Sequence, residues 1–156
     1  MKINADYMEI ALAEAQKAME HGDVPIGCVI VRDGKIIAQN HNRVELNNDS
    51  TAHAELISIR EAQKSIGYKH LLECDMYITL EPCPMCAGAI VLSRLNNIYI
   101  AAKDPKTGAC GSVVNITDNQ QLNHRCSVHY GIKEQESSEL IKSFFRKIRE
   151  RNGRRS

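Results

Sequence analysis

Asp75-Met76-Tyr77-Ile78-Thr79-Leu80-Glu81-Pro82-Cys83-Pro84-Met85-Cys86-Ala87-Gly88-Ala89-Ile90-Val91-Leu92 reads as one strand, a turn and one helix. Six residues rich in strand-forming side chains precede a proline-punctuated break, and a short apolar run follows it. Pro82 ends the strand, since it has no N–H for a ladder. Pro84 is tolerated in the first turn of a helix, where its missing N–H would be unpaired anyway. Asn96-Asn97 then turns into a further strand, Ile98-Tyr99-Ile100-Ala101-Ala102. Strand, helix and strand in that order imply a parallel pair with a right-handed crossover. The fold class expected from this unit is α/β, a three-layer α/β/α arrangement on a five-stranded mixed sheet.

Towards the N-terminus, Met8, Ala11, Leu12, Ala15 and Met19 recur at helical spacing between charged and polar residues, which predicts a core-facing helix ended by His21-Gly22-Asp23. Ile26 to Val31 reads as a buried strand. Arg32-Asp33-Gly34-Lys35 is a hairpin signal, because Asp-Gly accepts the positive φ angles of a type I′ turn, and Ile36 to Asn40 returns antiparallel. Asn48-Asp49-Ser50-Thr51 is a run of N-cap residue types ahead of a helix carrying Ala54, Glu55, Leu56, Ile57, Ile59 and Ala62, closed by Ser65-Ile66-Gly67. Towards the C-terminus, Lys103 to Ser112 is the most loop-like stretch, Cys126 to Tyr130 a fifth strand, and Leu140, Ile141, Phe144, Phe145 and Ile148 the apolar stripe of a last helix.

With 156 residues, 43% of them hydrophobic, the chain has the size of one domain with one core. The expected boundaries are 1–150 for that domain and 151–156 for a basic tail. No run of 18 apolar residues is present and residues 1–6 lack the regions of a signal peptide, so no membrane association and a cytoplasmic location are expected. In a reducing compartment Cys28, Cys74, Cys110 and Cys126 are expected to be free thiols. The formal net charge is only +1, yet Lys142, Arg146, Lys147, Arg149, Arg151, Arg154 and Arg155 crowd the last helix and tail against Glu150. Positive charge concentrated at one end points to a polyanion partner, the bland alternative being a packed helix with a solvated basic face.

Cys83 and Cys86 are three apart, so at a helix start they share a face and can reach one ion. Unpaired N–H groups and the positive end of the helix dipole favour their thiolates there. His53 and Glu55 are two apart and point about 200° away from each other on a regular helix, so they can share a site only at a helix end. One imidazole and two thiolates suit Zn²⁺, and three protein ligands leave the fourth tetrahedral position to water, as catalysis requires. Glu55 is then the unligated carboxylate that carries a proton. A different reading is a non-catalytic zinc module in which Cys74 or His70 completes a closed site. His41 reads as a strand-end histidine with an ordinary hydrogen bond, and His124 as a further ligand would close the site.

His53-x-Glu55 followed by Pro82-Cys83-x-x-Cys86 resembles the signature of zinc-dependent nucleobase deaminases. Asp23-Val24-Pro25-Ile26-Gly27, His41-Asn42, Thr51 to Leu56, Thr79 to Ile90 with Ser93-Arg94, Asp104 to Ser112, Leu122-Asn123-His124 and the Phe144-Phe145 helix extend the likeness. Over nearly its whole length the chain resembles the bacterial tRNA-specific adenosine deaminase family. The resemblance implies a cytidine-deaminase-like form of the three-layer fold, one Zn²⁺ per subunit on His53, Cys83 and Cys86, proton transfer by Glu55, and a homodimer. It implies hydrolysis of adenosine to inosine at the wobble position of a tRNA anticodon stem-loop, with zinc-activated water attacking C6 of a base extruded from a single-stranded loop. Substrate contacts are implied for Asn42, Ala54, Asp104, Lys106, Asn123, Phe145 and Arg149. The alternative is deamination of free guanine- or cytosine-type bases or nucleosides by the same zinc chemistry.

Overall fold

Alternating side chains along three central strands divide the apolar residues between the two faces of a single sheet, and helices cover both. The computed structural model describes residues 5–153. In chain order the elements are α1 (Ala5–Glu20), β1 (Gly27–Arg32), β2 (Lys35–His41), α2 (Val44–Asn47), α3 (Ala54–Ile66), β3 (Cys74–Leu80), α4 (Pro84–Leu92), β4 (Asn97–Ala102), β5 (Ser127–Tyr130) and α5 (Glu134–Gly153). The sheet order is β2-β1-β3-β4-β5. β1 runs antiparallel to β2 and β3, whereas β3, β4 and β5 are parallel. The sheet is therefore mixed, and β3-α4-β4 forms the parallel crossover that its sequence predicts.

On one face Cys28 and Ile30 of β1, Met76 and Ile78 of β3, and Ile98 and Ile100 of β4 pack with Ala54, Ile59 and Ala62 of α3 and with Ala87 and Ile90 of α4. Their neighbours Val29, Val31, Tyr77, Tyr99 and Ala101 pack with Met8 and Ala11 of α1 on the other face, as the two-residue period of a strand dictates. Tyr7, Tyr77, Tyr99 and His129 follow one another there with ring centroids 5.3, 4.6 and 4.8 Å apart. α5 lies on this side as well, against α1 and β4, and Ser137 Oγ donates to Thr79 O near the carboxyl end of β3. Helices thus form the two outer layers of an α/β/α sandwich. At the β1–β2 hairpin, Asp33 and Gly34 have φ of 52° and 73°, the paired positive values of a type I′ turn.

The run Asn48 to Thr51 does not cap α3. Asn48 closes the short helix α2, which the sequence does not announce, at a left-handed φ of 49°. Asp49 Oδ1 accepts from the N–H and the hydroxyl of Thr51. The N-cap of α3 is His53, which makes no side-chain capping bond; the cap comes from twelve residues upstream, where Asn42 Oδ1 accepts the Ala54 N–H at 2.9 Å. Asn, Asp and Ser bond their own backbone in turns as readily as at helix starts, and here the turn prevails. At the other end α5 continues through Arg151 to Gly153, while Arg154 and Arg155 lie outside the described residues.

Gly27 is the point of closest approach between β1 and α1. A Cβ there would lie 1.8 Å from Ala11 O and 2.7 Å from Ala15 N, backbone atoms with no room to step aside. Its N–H also donates to Thr79 Oγ1 at 3.0 Å. Gly27→Ala is expected to destabilise the fold by about 3 kcal/mol or more, the upper end of overpacking costs, read as a lower urea midpoint. An unchanged midpoint would mean that α1 does not sit this close to β1.

Candidate active site

β2 and β3 end at the same edge of the sheet, because β1 lies antiparallel between them. α3 and α4 begin beyond that edge, with His53 and Cys83 as their N-cap residues at φ/ψ of −77°/149° and −74°/173°. An N-cap residue has extended rather than helical backbone, which frees His53 from the helical step and lets its ring and the Glu55 side chain face one region. Two helix N-termini converge there, and their positive ends favour anionic ligands.

His53 Nδ1 lies 3.6 Å from Cys83 Sγ and 3.5 Å from Cys86 Sγ, and the three ligand atoms all lie within 4.8 Å of one another. A tetrahedral zinc ion with bonds of about 2.3 Å to sulfur and about 2.05 Å to nitrogen holds the nitrogen roughly 3.5–3.6 Å from each sulfur. The donor set is therefore spaced for such an ion. Among the described residues no other His, Cys, Asp or Glu joins the group. Cys74 Sγ donates to Leu72 O, His70 lines a groove with Arg60 and Leu92 between α3 and α4, His41 Nδ1 meets Glu14 Oε2 at 3.3 Å, and His124 Nε2 donates to Leu95 O at 2.6 Å. Each side chain weighed as a fourth ligand is thus engaged elsewhere or placed on another surface.

The bond from Cys86 lowers the Cys83 thiol to about 4, with His53 helping and burial opposing. The same bond, seconded by burial, raises the Cys86 thiol. Binding an ion there would require both sulfurs as thiolates. The hydrogen bond to Cys83 raises His53. Glu55 is only 3% exposed, its Oε1 has no hydrogen-bond partner, and burial pushes its carboxyl up to about 7. A buried oxygen without a partner is costly.

Asn42 and Ala54 are buried beside His53 and are joined by the capping bond. The carboxylate of Asp104 turns into its own loop, accepting from the N–H groups of Lys106 and Thr107 and from the Thr107 hydroxyl, whereas Lys106 is exposed. Asn123 is exposed on the segment before β5, and Arg149 on α5. Phe145, which helical period puts in the apolar stripe, is 41% exposed, and of that stripe only Phe144 is buried. Lys142, Arg146, Lys147, Arg149 and Arg151 are exposed on the same helix, and among the described residues none forms an ion pair. Sequence reasoning missed Glu81, a buried carboxylate that binds the Asp104–Ser112 loop. Its one signal is an acidic residue placed straight after an apolar strand.

A family model described as MafB19-like deaminase matches residues 3–149. A tRNA-specific adenosine deaminase of Aquifex aeolicus (strain VF5) is 47% identical over 143 residues, which are 92% of this chain and 94% of that protein. One from Bacillus subtilis (strain 168) is 46% identical over 145 residues, 93% of this chain and 90% of its own. A solved structure from biochemical and structural studies of A-to-I editing by tRNA:A34 deaminases at the wobble position of transfer RNA matches with a TM-score of 0.85 at 44% identity, covering 88% of this chain and 99% of that one. Likeness of this extent spans both the mixed sheet and the turn that carries the thiols, and the chain accordingly belongs to the tRNA-specific adenosine deaminase family.

Proposed function

We propose that this protein converts adenosine to inosine by hydrolysis at the wobble position of a tRNA anticodon. The observation that carries this is a trio of ligand atoms at tetrahedral spacing next to a buried carboxylate oxygen without a partner. His53, Cys83 and Cys86 would hold one Zn²⁺, and such an ion would supply the Lewis acidity that makes water a nucleophile at neutral pH. Glu55 would carry one proton from the attacking water to N1 of adenine and a second from the resulting C6 hydroxyl to the amino group, which leaves as ammonia while the C6 carbonyl of inosine forms. Asn42 fixes the Ala54 N–H and with it the direction in which His53 leaves α3; Asn42 and Ala54 form the wall against which the base rests. Asp104, Lys106, Asn123, Phe145 and Arg149 contact the RNA around the pocket, with α5 cations meeting phosphates and Phe145 offering a stacking face.

The protein works in the cytoplasm as a homodimer in this reading. Leu92 is 78% and Met85 37% exposed on α4, beside a groove lined by Leu56, Ile59 and Ala89, and an apolar patch of that kind suits a second copy. Among the described residues no helix is long and apolar enough to cross a membrane.

An anticodon stem-loop with adenosine at the wobble position is expected to yield inosine, while free adenosine, guanine and cytidine react far more slowly. Preference for a free base would place the chain among small-molecule deaminases instead. Binding of the stem-loop is expected to weaken with salt at a log-log slope of about −0.7 per phosphate contacted. Affinity insensitive to salt would remove the role given to α5.

A further inference from the structure

The Glu81 carboxylate, 2% exposed, accepts four hydrogen bonds from one loop. Oε1 takes the Asp104 N–H at 3.1 Å and the Ser112 hydroxyl. Oε2 takes the N–H groups of Cys110 at 3.0 Å and Ser112 at 3.1 Å. The neighbouring backbone adds two more ties: Glu81 N–H donates to Ala102 O and Ala109 N–H donates to Pro82 O, both at 2.9 Å. Gly108 makes the enclosure possible, since a Cβ there would lie 2.4 Å from Glu81 Cδ and 2.5 Å from Asp104 O. The loop therefore folds around a buried anion, with backbone N–H groups pointed at it, and that anion stands two residues before Cys83.

Hydrogen bonds to an ionised acceptor are roughly twice as strong as neutral ones. An amide cannot replace this carboxylate. Each oxygen accepts a backbone N–H, so whichever way a glutamine is turned, its NH₂ group faces a donor. The loop that depends on these bonds carries Lys106, which is exposed.

We propose that Glu81 is a positioning residue for the RNA: it locks the Asp104–Ser112 loop to the Cys83–Cys86 turn, so that the surface that grips the substrate and the turn that bears the thiols keep one fixed spacing. The inference rests on the deaminase reading above and deepens it. Were Glu81 only a brace for the thiol turn, its loss would act on metal content and on kcat. As a positioning residue it acts on KM.

In the zinc-loaded full-length protein, Glu81→Gln is expected to keep one zinc per chain and to raise KM for the anticodon stem-loop about 10- to 100-fold, the effect of losing bonds to a charged group, with kcat changed far less. Hydrogen exchange at the Cys110 and Ser112 amides is expected to quicken. Gly108→Ala strains the same contact from the loop side and is expected to give the same KM-weighted loss, and the double variant less than the product of the two, because both disrupt one unit. Ser112→Ala removes a single donor and supplies the test should the other variants not fold; its KM must rise several-fold at unchanged kcat. Unchanged KM, or a loss of zinc or of kcat at unchanged KM, overturns the proposal. Wild-type protein that forms no inosine would instead refute the functional reading, and amide exchange in Glu81→Gln would still decide whether the carboxylate holds the loop.

Discussion

Glu55→Ala is expected to lower inosine formation by at least on the order of 10²–10⁴-fold, the usual contribution of a positioned proton carrier, while zinc stays at one per chain. The two halves of that result come from one placement. Glu55 lies in the first turn of α3, outside the group of ligand atoms formed by His53, Cys83 and Cys86, so its loss removes no bond to the ion. Its Oε1 is buried with no partner in the protein, and in the proposed reaction it bonds the substrate or the attacking water. Zinc content by mass spectrometry and inosine by chromatography on the same preparation separate the two. Zinc lost together with activity would make Glu55 a ligand, and undiminished turnover would assign the proton to another group.

Removing a ligand has a different signature. Cys86 is fully buried in the first turn of α4, and its sulfur lies 3.5 Å from His53 Nδ1. Cys86→Ser is expected to lose zinc, inosine formation and thermal stability together, with no recovery when zinc is supplied. Chelation of the wild type is expected to have the same effects and to be reversed by zinc. The stability loss follows from what remains: two helix N-termini directed at one spot with the ion that joined them gone. Binding to a folded site contributes to folding free energy, and like-signed dipole ends repel. Zinc retained in Cys86→Ser would point to another thiol as ligand.

What the sequence discloses is what depends on neighbours along the chain. β3, the Pro82–Pro84 break and α4 could be read from residue type and period because those effects act within a turn or a strand. The grouping of His53, Cys83 and Cys86 could be anticipated because chemistry restricts which side chains suit a metal, and spacing restricts where they stand. The parts that stayed hidden rest on contacts across the fold. Asn42 caps Ala54 only because β2 brings it there, and local propensity could not tell that Asn48–Thr51 would build a turn instead. Glu81 gains its partners from residues 23 to 31 positions further along, which no local pattern contains. Phe145 shares the helical face of Phe144 by period, yet the layer beneath α5 covers only Phe144.

Zinc K-edge X-ray absorption of the zinc-loaded protein tests most directly whether three side chains, and no more, serve the ion. The account predicts two sulfur neighbours at about 2.3 Å and two lighter atoms at about 2.0–2.1 Å, one from His53 and one from solvent. A third sulfur, or a fourth side-chain ligand in place of the solvent, would contradict it.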